Sequence, residues 1–169
     1  MAEKMVSEVE RMVVTRVIDA PRELVWKAWT DPKYVKQWWG PKGFSCPACK
    51  MDVRVGGKSL LCMKTPDGYE GWNAIEYHEI VPYEKIVSIM YFSDSEGNKI
   101  DPADLGVEQE AIDGAYDVTL FEDLGNGRTK LTIIGNEPMA SAKDSGQWEG
   151  WNETLEKVAA VVAGLTQVK

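Results

Sequence analysis

The sequence has little positive charge for its length. It contains 19 Lys and Arg residues against 27 Asp and Glu residues, which gives a net charge of −8. This excess of negative charge repels phosphate backbones and anionic headgroups, so the sequence predicts no nucleic-acid partner. It also lacks an apolar run close to the roughly 20 residues that a membrane-spanning helix needs, so we expect no membrane insertion.

Residues 1–10 lack the apolar segment of a secretory signal, and the three cysteines are an odd number. Both features favour reduced thiols, so the sequence predicts a cytoplasmic protein.

Histidine and cysteine are scarce, which limits metal and redox chemistry. The single histidine, His78, has no nucleophile motif near it and is expected on a solvated strand face. Residues 46–49 read Cys-Pro-Ala-Cys, a spacing compatible with a redox pair or half of a zinc site. The extended pattern of this segment would instead point Cys46 and Cys49 to opposite faces. We therefore interpret them as small apolar strand residues and predict no metal and no cofactor.

The chain of 169 residues is long enough for one domain with a substantial core. We predict a single domain over residues 11–169, preceded by a lead-in over 1–10. A β-rich pattern predicts a first strand over 12–18, and helical spacing then predicts two short helices. Asp19 is expected to cap the first helix, and Asp31-Pro32 to end it.

Turn residues divide the next part of the chain into a meander of six strands. These are expected over 44–55, 58–64, 70–80, 85–92, 111–121 and 128–135. Gly56-Gly57 predicts a two-residue hairpin turn with positive φ angles, and Gly125-Asn126-Gly127 predicts another turn. The polar residues 93–108 predict a long surface loop, with a lid over a cavity mouth as the alternative.

The end of the chain carries the clearest pattern. Apolar residues recur at spacings of three and four, which predicts one stripe on a helix that begins near Ser145. The stripe consists of Trp148, Trp151, Leu155, Val158, Val162 and Leu165. Because an isolated helix is marginal in water, the stripe must pack against the sheet. The predicted fold class is α+β, a curved antiparallel sheet of about seven strands with two short helices after strand one and this helix packed across it.

Several segments, taken in order, carry a family resemblance. They lie over residues 21–32, 38–41, 52–57, 79–87 and 150–155, and include Trp38-Trp39-Gly40-Pro41 and Gly150-Trp151-Asn152. Together they resemble the START-like (SRPBCC) helix-grip superfamily, and most of all its branch similar to the C-terminal domain of the activator of the heat-shock protein 90 ATPase. The resemblance implies a cavity between the sheet and the terminal helix, which members use for lipids, hormones, polyketides and other apolar molecules.

Strand alternation and the helical stripe together predict the residues of a pocket wall. The strand residues are Met63, Trp72, Met90, Tyr116 and Val118, and the helix residues are Trp148, Trp151 and Leu155. The alternative is a filled core, in which the bulky indoles occupy the space that a ligand would need.

Three functions follow as hypotheses. The first is non-catalytic binding of an apolar or lipid-like small molecule. The second is a chaperone ATPase regulator, which rests on the resemblance alone. The third is a cyclase or hydrolase, for which Tyr116 and Glu70 are the candidate groups although no spacing marks them. A charged set of Asp52, Arg54 and Glu76 could bind a polar headgroup, but we favour a cross-strand ion pair.

Overall fold

The computed structural model of the protein describes residues 10–106 and 115–166. In chain order, its strands and helices are β1 (Arg11–Ile18), α1 (Arg22–Thr30), α2 (Pro32–Trp38), β2 (Cys49–Lys50), β3 (Lys58–Lys64), β4 (Glu70–Val81), β5 (Lys85–Ser93), β6 (Asp117–Gly125), β7 (Arg128–Pro138), α3 (Met139–Ser145) and α4 (Gln147–Thr166). The strands form one antiparallel seven-stranded sheet in the order β1-β7-β6-β5-β4-β3-β2. The predicted α+β helix-grip fold is confirmed.

The two short helices share one boundary residue, Asp31. Because Pro32 follows it, Asp31 is extended, with φ of −96° and ψ of 120°, and α1 ends there as predicted. Its carboxylate then accepts the Lys33 N–H at 3.0 Å and caps α2. The predicted cap by Asp19 is wrong. The chain turns tightly after β1, with the Ala20 N–H donating to Ile18 O at 2.9 Å, and Pro21 occupies the N-cap of α1.

Trp38 ties the short helices into the core. Its side chain is 1% exposed, and its Nε1–H donates to the Ala28 carbonyl at 2.8 Å. Its ring also stacks on Trp29, with ring centroids 4.6 Å apart. The α1–α2 pair is therefore held by both a buried hydrogen bond and aromatic packing.

The stripe on α4 supplies the other half of the core. Leu155, Val158 and Val162 are buried, while Trp148 and Trp151 toward its start are half-buried. The helix packs against β1, α1 and α2. It begins at Gln147, after Gly146 in a left-handed conformation at φ of 84° ends the additional helix α3. The predicted stripe is confirmed.

The segment before β3 differs from prediction. Of the expected strand 44–55, Cys49 and Lys50 form β2 beside β3, and Ser45 makes a separate antiparallel bridge to Lys64 at the end of β3. Gly56 and Gly57 are not the two central residues of a hairpin turn, because the Gly57 N–H donates to Arg54 O at 2.7 Å. The Gly56 N–H donates to Tyr77 O on β4 at 3.0 Å, and the Gly57 carbonyl accepts the Tyr77 N–H at 3.2 Å. Gly56 has a positive φ of 85°, whereas Gly57 is needed because an added Cβ would lie 2.3 Å from the Asp52 carbonyl oxygen.

The later strands match the predictions with shifted ends. β6 runs from Asp117 to Gly125, and residues 111–114 of its predicted span lie outside the described residues. The Gly125-Asn126-Gly127 turn is confirmed, with Asn126 at φ of 56°. Of the predicted loop 93–108, residues 107–108 are also outside the described part, and Pro102–Leu105 form a short 3-10 helix. None of the helices in the described part has the length and apolar character to span a membrane.

We predict that Trp38→Phe lowers the free energy of unfolding by about 2–4 kcal/mol, because it removes a buried hydrogen bond and leaves a cavity beside Trp29. Urea unfolding at pH 7 measures the change. The control is Trp72→Phe, at a half-buried position on β4, which should cost less than half as much. Equal losses for the two variants would contradict the role given to Trp38.

Candidate functional site

A cavity of about 360 Å³ lies between the sheet and the first turns of α4. Three parts of the chain enclose it: the Trp39–Pro41 segment after α2, the ends of β3 to β5, and the start of α4. Its lining includes Trp39, Met63, Asn73, Met90, Gly150 and Trp151. The wall is thus mainly apolar, with a few polar side chains.

A second cavity of about 70 Å³ lies deeper between the same elements. The two cavities adjoin, because Trp39, Met90, Gln147 and Trp151 line both. The deeper one also contains polar side chains from the sheet, among them Tyr77, Ser88, Asp117 and Thr119. A molecule that entered from the larger cavity would therefore meet a polar end.

Strand alternation determines which side chains reach these cavities. At least one of the cavities is lined by Met63 on β3, Ile75 and Tyr77 on β4, Met90 on β5 and Asp117 on β6. We call this side of the sheet the inner face. The alternate residues of each strand project mainly to the outer face, although Tyr91 on β5 also lines the larger cavity.

The eight residues of the predicted wall divide into two groups. Met63, Met90 and Trp151 line the larger cavity, and Met90 and Trp151 also line the smaller one. The structure brings these three together, and their role in ligand binding remains a prediction.

The other five lie elsewhere. Trp72 and Val118 alternate with the cavity residues Asn73 and Thr119, so they project to the outer face. Tyr116 precedes β6 and packs against His78, with ring centroids 4.5 Å apart. Leu155 is 1% exposed within the packed core, and the Trp148 Nε1–H donates to the Val13 carbonyl at 3.0 Å on β1.

Four residues of the cavity linings were not predicted from the sequence: Asp117, Asn73, Gln147 and Trp39. The available signal was the alternation itself: setting the inner face of β6 one residue earlier selects Asp117 and Thr119 in place of Tyr116 and Val118. Trp39 belongs to the Trp38-Trp39-Gly40-Pro41 motif. Because it follows the last residue of α2, helical spacing does not predict where its side chain points.

Trp39 stands in the wall common to both cavities. Its side chain is 5% exposed, and its ring packs against Trp38 and Trp151, with ring centroids 5.9 and 6.1 Å away. Its Nε1–H has no acceptor among the described residues. A buried donor without an acceptor costs about 1–3 kcal/mol, so an acceptor atom from a ligand would be favourable if it could reach this N–H.

Lys157 fixes the Trp39–Pro41 wall to α4. Its Nζ donates to the carbonyl oxygens of Gly40, Pro41 and Phe44 at 2.9, 3.4 and 3.3 Å. Burial lowers the pKa of this ammonium group. The amine thus fixes the position of this loop relative to α4.

Asp117 is the acidic group inside the deeper cavity. Its Oδ2 accepts the Met90 N–H at 3.3 Å, and the Asn136 N–H also donates to its carboxylate. Burial nevertheless raises the pKa of Asp117 to about 6. Tyr77, in the same lining, is hydrogen-bonded through its hydroxyl to Ser59 at 2.7 Å, and burial raises its pKa to about 12.

Cys46 and Cys49 lie together, so the prediction that they point to opposite faces is wrong. Because only Cys49 belongs to β2, the preceding residues need not alternate as in a strand. The two side chains are hydrogen-bonded to each other, and this bond lowers the pKa of Cys46 and raises that of Cys49. Within residues 10–106 and 115–166, no three His, Cys, Asp or Glu side chains are grouped to hold a metal ion.

The remaining candidates do not assemble into a site. Arg54 pairs with Asp52 at 2.9 Å within the same loop, so the pair is not cross-strand, and Glu76 is placed opposite Lys58 on β3. Glu70 lies at the start of β4, where its carboxylate accepts the Cys62 thiol at 3.4 Å. Tyr116 and Glu70 both lie away from the cavity linings.

We predict that Asp117 makes folding less favourable as the pH rises. Its pKa is 3.8 ordinarily and about 6 in the folded protein, so between these values the unfolded chain releases the proton while the folded chain keeps it. Raising the pH through this window favours unfolding by up to about 3 kcal/mol, and Asp117→Asn removes the effect.

Urea unfolding at pH 4.5 and pH 7 tests this prediction. The free energy of unfolding of Asp117→Asn, relative to that of the wild type, should be higher at pH 7 than at pH 4.5. The exposed Glu122→Gln on the same strand should show no such rise. A constant difference between Asp117→Asn and the wild type at both pH values would disprove it.

The family model of the Activator of Hsp90 ATPase homolog 1-like protein matches residues 19–163. No curated protein matches the sequence.

Solved structures share the fold. The solution NMR structure of a protein from Arthrobacter aurescens is similar with a TM-score of 0.74 and 25% identity, covering 93% of this chain and 88% of that one. The AHSA1 protein from Silicibacter pomeroyi is similar with a TM-score of 0.65 and 21% identity, covering 89% and 96% of the two chains. DynU16, from the dynemicin biosynthetic locus, is similar with a TM-score of 0.63 and 21% identity, covering 91% of this chain and 47% of its own.

The family match extends from the residue after β1 almost to the end of α4, and the sheet, the two short helices and the long helix have the helix-grip arrangement. The chain therefore belongs to the Activator of Hsp90 ATPase homolog 1-like family, within the START-like helix-grip superfamily.

Proposed function

We propose that the protein binds a small, mainly apolar molecule in the larger cavity and does so without catalysis. The observation that carries the proposal is the cavity of about 360 Å³ between α4 and the inner face. An apolar cavity of roughly 150 Å³ is already large enough to bind benzene. Unfilled space of this kind forfeits dispersion contacts, so a ligand that fills it gains them.

The lining supports the same proposal. Trp39 and Trp151 offer broad apolar surfaces, and Met63 and Met90 are unbranched and flexible enough to adapt to ligands of different shape. Asn73 and Gln147 supply polar groups that can orient a ligand. Binding without catalysis is favoured because Tyr116 and Glu70, the candidate catalytic groups, lie outside this lining.

We predict that Gly150→Phe blocks binding. Gly150 lines the cavity on α4, and an added Cβ would meet Pro41 at an ordinary contact distance of 3.7 Å, so the backbone accepts a side chain while the ring occupies ligand space. Isothermal titration calorimetry with 1-methylnaphthalene should show saturable binding to the wild type and at least a tenfold weaker affinity for Gly150→Phe.

The matched control is Gly164→Phe, on the same helix, where an added Cβ meets no atom within 4 Å. Its affinity should equal that of the wild type. Unchanged affinity in Gly150→Phe would show that the ligand binds somewhere else. The absence of binding to the wild type would contradict the proposed function for ligands of this size.

The family match supports a second candidate, a protein-interaction role as a regulator of a chaperone ATPase. The family is described as Hsp90 ATPase activator-like, and the match covers nearly the whole described chain. An ATPase assay with the Hsp90-type chaperone of the same organism tests this role. Stimulation that persists in Gly150→Phe would support interaction independent of the cavity, whereas neither stimulation nor chaperone binding would exclude the candidate.

A further inference from the structure

Building on the proposed function, we infer that the cavity selects ligands whose polar end is a hydrogen-bond donor, a hydroxyl or an ammonium group, and that the carboxylate of Asp117 receives this donor. The inference names the chemical class of the ligand. It also identifies Asp117 as the residue that determines specificity at the inner end of the site.

The position of Asp117 follows from a gap in strand pairing. β5 and β6 pair from Lys85↔Leu120 to Ser88↔Asp117, while β5 itself continues to Ser93. Asp117, the first residue of β6, is therefore at the end of the β5–β6 pairing, where the two strands separate. Its carboxylate accepts the Met90 N–H at 3.3 Å, on the part of β5 that pairs with β4 but no longer with β6. The side chain is thus held across the opening and not free to turn away.

The carboxylate has capacity for a further donor. A carboxylate has about four lone-pair sites, and the amides of Met90 and Asn136 account for two bonds. Ser88 lies opposite Asp117 in the register and lines the same cavity. A ligand hydroxyl or ammonium group would thus meet an acceptor that is fixed in place before binding.

Burial raises the pKa of Asp117 and the charge of Arg11 lowers it, but the hydrogen bonds of this guanidinium group go to backbone oxygens. The Nε of Arg11 donates to the Gly135 carbonyl at 2.9 Å, and its Nη2 donates to the Tyr116 carbonyl. Burial has a larger effect than this charge, so the pKa of Asp117 still lies above its ordinary value, at about 6, and the group is ionised at pH 7.5. Negative charge therefore remains at the inner end of the site, where it attracts donors and repels a carboxylate or phosphate.

The two cavities together match an amphipathic molecule. Met90 and Trp151 lie in both linings, so a ring or chain in the larger cavity passes between them to place a polar end beside Asp117. A molecule with an apolar body and a neutral or cationic hydrogen-bond donor at one end fits both the larger cavity and the polar end beside Asp117. A fatty acid would bring its carboxylate against Asp117 and is excluded from this class.

Four ligands with the same carbon skeleton test the inference: 1-naphthalenemethanol, 1-naphthalenemethylamine, 1-naphthoate and 1-methylnaphthalene. At pH 7.5, we expect the alcohol and the amine to bind the wild type about tenfold more tightly than 1-methylnaphthalene, and naphthoate to bind more weakly than 1-methylnaphthalene. A charged hydrogen bond of ordinary strength gives a tenfold gain.

In Asp117→Asn, the amine should no longer bind more tightly than 1-methylnaphthalene, and the affinity of naphthoate should move closer to that of 1-methylnaphthalene. The reason is that the amide keeps an acceptor oxygen but carries no charge. The control Glu122→Gln removes an exposed charge from the same strand and should keep the wild-type order. The indole signals of Trp39 and Trp151 in ¹⁵N NMR spectra verify that each variant is folded and that each ligand occupies the cavity.

The outcomes separate the two proposals. If all four ligands bind the wild type and Asp117→Asn with one unchanged order, the inference fails while the proposed function stands. If naphthoate binds the wild type most tightly, the inference also fails. If none of the four binds the wild type, both proposals fail.

Discussion

The apolar stripe on α4 is the contact on which the rest of the structure depends. Leu155, Val158 and Val162 are at most 1% exposed, and they pack the helix against β1 and the two short helices. Without this contact the inner face of the sheet would be open to water. The burial is concentrated in the later turns of the helix, and the larger cavity begins where the stripe reaches Trp151.

The cavity persists because its walls are held apart at both sides. Lys157 binds three carbonyl oxygens of the segment after α2 and ties this wall to the helix, while Ser45, just beyond it, bonds to Lys64 at the end of β3. Trp39 and Trp151 meet edge to face at 6.1 Å, which blocks a closer approach of the helix to the loop. Opposite them, Asp117 holds the gap between β5 and β6 through the Met90 amide. The polar groups thus position the walls of a mainly apolar space.

The sequence predicted the architecture because long periodic patterns are read over many residues. The stripe from Trp148 to Leu165 and the strand at 58–64 needed no knowledge of tertiary contacts. Predicting the pocket wall required knowing, for each strand, which alternate residues face the helix. An error of one residue exchanges the two faces of a strand. Choosing Tyr116 and Val118 therefore passed over Asp117 and Thr119. The contact between Cys46 and Cys49 could not be predicted either, because it depends on β2 being only two residues long.

The most direct test of this account is a crystal structure of the protein under xenon pressure. Xenon enters apolar cavities without needing hydrogen bonds, so it reports open space independently of ligand chemistry. We expect xenon density between Met63, Met90 and Trp151, beside the first turns of α4. A structure in which α4 closes on the strand ends, with an indole ring filling this volume and no xenon there, would contradict it.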